Sequence, residues 1–142
     1  MKTEPRLYPV SELLELRGKS LIKVNAEYQR GAVWTDAQKR KLIDSLMRGY
    51  PIPLFYLHIV SNKQGSFGGS WLEVIDGQQR LLALDEFFHD GFPLFDPIKD
   101  DKHARFPSFI KDAPCPWGRK LFSQLEADDK ARFMNTKLHV VE

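Results

Sequence analysis

Five consecutive residues, Asp76-Gly77-Gln78-Gln79-Arg80, set a carboxylate, a glycine, two long amides and a guanidinium where the hydropathy pattern changes period. Ahead of them, Trp71–Ile75 is aromatic and β-branched in the manner of a strand. Behind them, Leu81, Leu84 and Phe88 recur at helical spacing, with Leu82 and Phe87 beside them, and the pattern predicts a helix from Gly77 to about His89. The first N–H groups of such a helix have no internal partners, and with the positive end of the helix dipole they attract anions.

Capping explains part of this turn. Asp76 at the N-cap would accept an orphan N–H, and Gln79 would complete a capping box. Gly77 and Arg80 are left over. A glycine at the first helical position costs about 1 kcal/mol relative to alanine, yet it opens the backbone to a ligand. A cation in the first turn opposes the dipole unless something negative lies near. A bound phosphate resolves both oddities. Gln78 and Gln79 can hydrogen-bond a base, a phosphate oxygen or a water, and in some GTP-hydrolysing enzymes a glutamine orients the attacking water. Asp76 could instead help to hold Mg²⁺, which takes one or two carboxylates together with phosphate oxygens.

A second constellation is Tyr28-Gln29-Arg30, with Trp34 just beyond, in a polar and aromatic stretch without period. An ordered loop of this kind suits base stacking with phosphate contact. Tyr28 and Trp34 packing on the core, with Arg30 in an internal ion pair, is the structural alternative.

Other chemistries lack their residues. His58, His89, His103 and His139 form no close pair and have no cysteine partner, which argues against a zinc site. There is neither a Walker A run nor a G-x-G-x-x-G, and no Ser-His-Asp arrangement can be inferred. Cys115, between Pro114 and Pro116, reads as a loop residue rather than a nucleophile.

The elements that must position these residues follow from periodicity and punctuation. Ser11 reads as the cap of a short helix over Glu12–Leu16, ended by Gly18, and Leu21-Ile22-Lys23-Val24 as a short strand. Thr35 and Gln38 make a capping box ahead of a helix carrying Leu42, Ile43, Leu46, Met47 and Tyr50 on one side, stopped by Gly49 and Pro51. Lys39, Arg40, Asp44 and Arg48 fall mostly on its other side and read as a solvated face. Leu54–Val60 and Trp71–Ile75 are strands of a hairpin joined by the glycine-containing stretch Ser61–Ser70. From Phe92 to Gly118 the chain is Pro-rich and irregular; Ser123 and Glu126 then cap a last helix to about Asn135, before a strand over Lys137–Val141. Hairpins and helices without a repeated βαβ crossover indicate a mixed α+β domain.

Composition sets the frame. A chain of 142 residues, 42% apolar and 28% charged, with ten Phe, four Tyr and three Trp, suits one globular domain with a sizeable core. A net charge of +2 is too small to announce nucleic-acid binding by itself. One cysteine rules out an internal disulfide and suits a reducing compartment. No apolar stretch approaches a membrane span or a signal peptide, so a cytoplasmic protein with no membrane partner is expected. The chain stops on an apolar strand, as the N-terminal part of a longer protein would.

Three segments together resemble one family: Asn25-Ala26-Glu27-Tyr28-Gln29-Arg30 with Trp34, Lys41-Leu42-Ile43-Asp44-Ser45-Leu46 through Gly49-Tyr50-Pro51-Ile52-Pro53, and Val74-Ile75-Asp76-Gly77-Gln78-Gln79-Arg80-Leu81. Their order and spacing are similar to the family catalogued as domain of unknown function 262, the N-terminal domain of GmrSD-type, modification-dependent restriction proteins, shared by phosphorothioate-sensing phage-defence proteins. The likeness covers roughly Tyr8 to Phe88 and fits the tail to Glu142 only loosely. It implies a single ParB/sulfiredoxin-like domain over residues 1–142, with a core at about 8–90 and an irregular and helical extension over 91–142.

The resemblance also implies that the DGQQR motif serves NTP hydrolysis that drives or regulates DNA restriction. Asp76, Gln78, Gln79 and Arg80 are then catalytic. Gly77, Arg80, Tyr28, Gln29 and Arg30 bind nucleotide across two facing walls, the latter three alternatively sensing a modified DNA backbone. Mg²⁺ and a nucleoside triphosphate are the expected cofactor and substrate, and DNA and a nuclease domain or subunit the expected partners. Two features depart from the family: Leu82-Ala83-Leu84 stands where it commonly has threonines, and no His-Asn-His nuclease motif is present. The competing expectation is a non-catalytic DNA-binding or protein-interaction module that uses the same pocket for a DNA phosphate. A local basic surface from Lys39, Arg40, Lys41 and Arg48 would favour it.

Overall fold

The computed structural model describes residues 5–25, 27, 33–61, 69–94, 96 and 117–142. At its centre are β3 (Phe55–Ser61) and β4 (Ser70–Asp76), the antiparallel pair expected from two aromatic and β-branched runs. A short strand, β2 (Ile22–Val24), joins β4 in parallel, while β5 (Lys137–Val141) runs parallel to β3 and antiparallel to β1 (Pro5–Pro9). The result is one mixed sheet of five strands in the order β1-β5-β3-β4-β2. With α1 (Val10–Gly18), α2 (Asp36–Met47), α3 (Gln78–Phe88), α4 (Ala127–Asn135) and a 3₁₀ turn at Phe122–Gln124, the architecture is α+β.

Alternation along the strands decides which face is buried. Phe55 and Leu57, Val74, Ile22, and Leu138 and Val140 point into one core with Leu13, Ile43, Leu46, Leu84 and Phe133 from the helices. Phe87 of α3 sits in the middle of this core, with ring centroids 5.6, 5.9 and 5.3 Å from Phe92, Phe122 and Phe133. These tilted and edge-on contacts suit aromatic quadrupoles and tie α3 to α4, to the 3₁₀ turn and to the residues that follow α3. Among the described residues, no helix is long and apolar enough to cross a membrane.

The capping box of Thr35 and Gln38 is present as expected, and Gly49 follows α2 at φ 78. Three local expectations are corrected. Strand β1 was not anticipated, because prolines at both its ends obscure a strand pattern; β1 lies at the sheet edge, where a missing N–H is tolerated. Helix α1 starts at Val10 and extends to Gly18 without a Ser11 cap, and the Val10 N–H donates instead to the Thr136 carbonyl at 3.0 Å. Ser123 does not cap α4 either: it lies in the 3₁₀ turn and its N–H donates to Asp90 Oδ1 at 2.9 Å, and the N-cap, Glu126, makes no side-chain capping bond. At α1 a tertiary partner thus stands in place of a local cap, whereas at α4 the proposed cap residue is engaged elsewhere.

Candidate functional site

Strand β4 ends at Asp76, and its pairing with β3 slips just before that end. Leu57 pairs with Val74, but Tyr56 pairs with Asp76, which leaves Ile75 as the extra residue of a bulge. Bulges bend a strand and re-aim its side chains. Here the bulge delivers Asp76 to the surface, with 67% of its side chain exposed.

Gly77 follows as the N-cap of α3 at φ 103 and ψ 13, in the left-handed region that favours glycine, and has no side chain with which to cap the helix. The expected Asp76 cap is therefore corrected: Gly77 intervenes, and Asp76 belongs to the strand. The helix accordingly begins at Gln78 rather than Gly77. The expected capping box with Gln79 is likewise absent.

Close packing supplies a second reason for the glycine. A Cβ at position 77 would lie 2.7 Å from Phe55 Cδ1 and 3.1 Å from Arg80 Nη2. The backbone at the helix start is thus held against a buried ring and a guanidinium.

Arg80 folds back over this turn. Its Nη2 donates to the Leu54 carbonyl at 2.6 Å, its guanidinium lies over the Phe55 ring 5.0 Å from the centroid, and Asp76 Oδ2 is 3.8 Å away. Only 14% of the side chain is exposed, and Nε is buried with no hydrogen-bond partner. Burial pulls the guanidinium below its ordinary pKa, and the Asp76 charge opposes that pull. A cation so placed, with one loose carboxylate partner, is incompletely compensated.

The two glutamines point elsewhere. Gln78 is 5% exposed; its Nε2 donates to the carbonyls of Asn25 at 2.6 Å and Val74 at 2.9 Å, while its Oε1 is buried without a donor. Gln79 Oε1 accepts the Trp34 backbone N–H at 3.1 Å. Tyr28, Gln29 and Arg30 lie outside the described residues, but Asn25 and Trp34, on either side of them, are both bonded to the first turn of α3.

Asp76, Gly77, Gln78, Gln79 and Arg80 therefore form one cluster whose supports are Leu54, Phe55, Asn25 and Trp34. The supports Leu54 and Phe55 read in sequence as plain strand residues; their role depends on contacts across more than twenty residues, which no local spacing reveals. Beside the cluster, a groove of about 420 Å³ runs along α2 and α3, lined among others by Val33, Lys39, Gln79, Leu82 and Glu86. Lys39 and Glu86 close its floor at 2.7 Å. Among the described residues, no three His, Cys, Asp or Glu side chains converge as a metal site would require.

A family model described as GmrSD restriction endonuclease, N-terminal domain, matches residues 10–139. No curated protein and no solved structure matches the chain.

Proposed function

We propose that this chain, which belongs to the family of GmrSD restriction endonuclease N-terminal domains, binds and hydrolyses a nucleoside triphosphate at the start of α3 as the regulatory step of a DNA restriction system. The observation that carries this reading is Arg80, whose largely buried guanidinium has only a loose carboxylate partner among the described residues, beside the start of α3, where Gly77 supplies no side-chain cap. Both features call for an anion, and a phosphate group has the oxygens to meet them. The ParB/sulfiredoxin-like relationship implied by the motifs is supported by the mixed five-stranded sheet and by the position of α3 directly after β4.

In this reading the α3 amides and Arg80 hold the phosphates and stabilise the charge that spreads over the transferred group. Water attacks the terminal phosphorus, the bond to the leaving diphosphate breaks, and inorganic phosphate is released. The exposed Asp76 carboxylate receives a proton from that water or holds Mg²⁺, which it can serve with one oxygen ligand. When bound, the ion would supply neutralisation of phosphate charge. Tyr28, Gln29 and Arg30, which lie outside the described residues, would by the family resemblance contact the nucleotide or a modified DNA backbone, with DNA and a nuclease domain or subunit as partners.

A local basic surface from Lys39, Arg40, Lys41 and Arg48 would favour the competing module reading. Lys39 is paired with Glu86 and Arg48 with Asp44, which neutralises half of the four residues it invoked. The nucleotide reading is therefore preferred. Its test is NTP turnover with Mg²⁺ by the intact protein and by Arg80→Ala, with and without DNA. Turnover that Arg80→Ala abolishes supports it; no turnover under any condition, with DNA affinity lost in the variant, overturns it in favour of the module.

A further inference from the structure

Gln78 and Gln79 are the motif residues with the longest reach, yet neither side chain is free at the helix start. Gln78 is almost wholly buried and directs its amide nitrogen to two backbone carbonyls, one of them Asn25 on the far side of the sequence. Gln79 directs its carbonyl oxygen to the backbone N–H of Trp34. Asn25 and Trp34 are thus both held to the first turn of α3, each by one glutamine. A further bond runs from the Glu27 N–H to Asn25 Oδ1 at 2.9 Å.

Two facts bear on this fastening. The Gln78 amide serves two backbone carbonyls but leaves Oε1 buried with no donor among the described residues, so those contacts do not use up its hydrogen-bonding capacity. Both glutamines also sit directly between Gly77 and Arg80, so any displacement of the helix start moves both fastenings together.

We infer that Gln78 and Gln79 are positioning residues: they couple the start of α3 to Asn25 and to Trp34, so that a ligand ordering the helix start also fixes these two residues. A ligand that orders the α3 amides then tightens the bonds to Asn25 and Trp34, and loosening of those bonds weakens the ligand by the same factor. The coupling to ligand rests on the phosphate reading given above; the fastening itself does not.

Hydrogen exchange on the intact protein separates the two. Gln79→Met keeps the side-chain length and removes the acceptor, and Gln79→Glu keeps an acceptor in place. The expected result is exchange at the Trp34 amide about tenfold faster in Gln79→Met, restored in Gln79→Glu, with β3 and β4 unchanged in both. Gln78→Met should speed exchange at Glu27 in the same local way. Unchanged exchange at Trp34 in Gln79→Met overturns the inference, and so does equal acceleration in Gln79→Glu. ATP and GTP, each with Mg²⁺, form the second arm. Protection of the Trp34 amide by nucleotide in the unaltered protein, lost in Gln79→Met, supports the coupling, and protection that persists undiminished in the variant overturns it. If neither nucleotide binds the unaltered protein, the phosphate reading fails, and the first arm still decides the fastening.

Discussion

Phe55 occupies the space that a side chain on residue 77 would need: a Cβ there would lie 2.7 Å from the ring. Since Phe55 is 1% exposed, its ring cannot swing aside into solvent. Gly77→Ala therefore meets both this contact and a left-handed backbone, and should destabilise the protein by about 1–3 kcal/mol from the backbone alone. Urea denaturation would read the change as a lower midpoint with an unaltered slope.

Arg80→Lys keeps the positive charge but loses the planar fork that lies over Phe55 and reaches the Leu54 carbonyl. A lysine ammonium cannot present the donors from the same plane. Calorimetric titration with Mg²⁺ and ATP or GTP should show affinity reduced about tenfold or more, on the scale of one charged hydrogen bond. An unchanged affinity would mean that the charge alone, and not the fork, serves the site.

The carboxylate of Asp44, 8% exposed, accepts from Trp117 Nε1 at 3.3 Å and from Arg48 Nε at 2.9 Å. Asp44→Ala leaves the buried indole N–H without that acceptor, for an expected loss of about 1–3 kcal/mol. The same denaturation experiment checks it.

Asp90 carries the acid sensitivity that the structure makes explicit. Bonds from the Ser123 backbone N–H and hydroxyl hold its carboxyl below its ordinary value of 3.8. A carboxyl lowered in the folded state adds stability above its unfolded pKa, and that contribution is lost as pH falls through the folded one. Asp90→Asn tolerates the positive φ of 62 at this position and removes the charge. The two proteins should differ in denaturation midpoint at neutral pH and converge below the lowered pKa of Asp90; a difference that persists undiminished in acid would exclude this origin.

Where the physics is local, the chain could be read directly. The Thr35–Gln38 capping box sits three residues apart, and the β3–β4 hairpin announces itself by two β-branched runs around glycines; both are as expected. The strand-to-helix turn at Asp76–Arg80 was legible for the same reason. Where a partner comes from afar, local reading misplaced the detail. Thr136, far along the chain, replaces a cap at Val10, and Asp90 claims Ser123. The glutamines of the turn illustrate this best, since their partners stand 53 and 45 residues away, and nothing in the spacing of the motif points to Asn25 or Trp34. Asp76 reads as a cap in sequence because spacing does not show that Gly77 adopts a left-handed turn ahead of the helix.

Strand β5 lies between β1 and β3, although it is drawn from the far end of the matched region. During synthesis, β3 and β4 emerge and can pair long before β5 exists. Until Lys137–Val141 arrive, the Phe55–Tyr56 end of β3 is unpaired on that side, and β1 lacks its one strand neighbour among the described residues. An exposed edge recruits other chains as readily as its own. The nascent protein thus passes through a stage in which its greatest hazard is a missing middle, and truncation before residue 137 would make that hazard permanent.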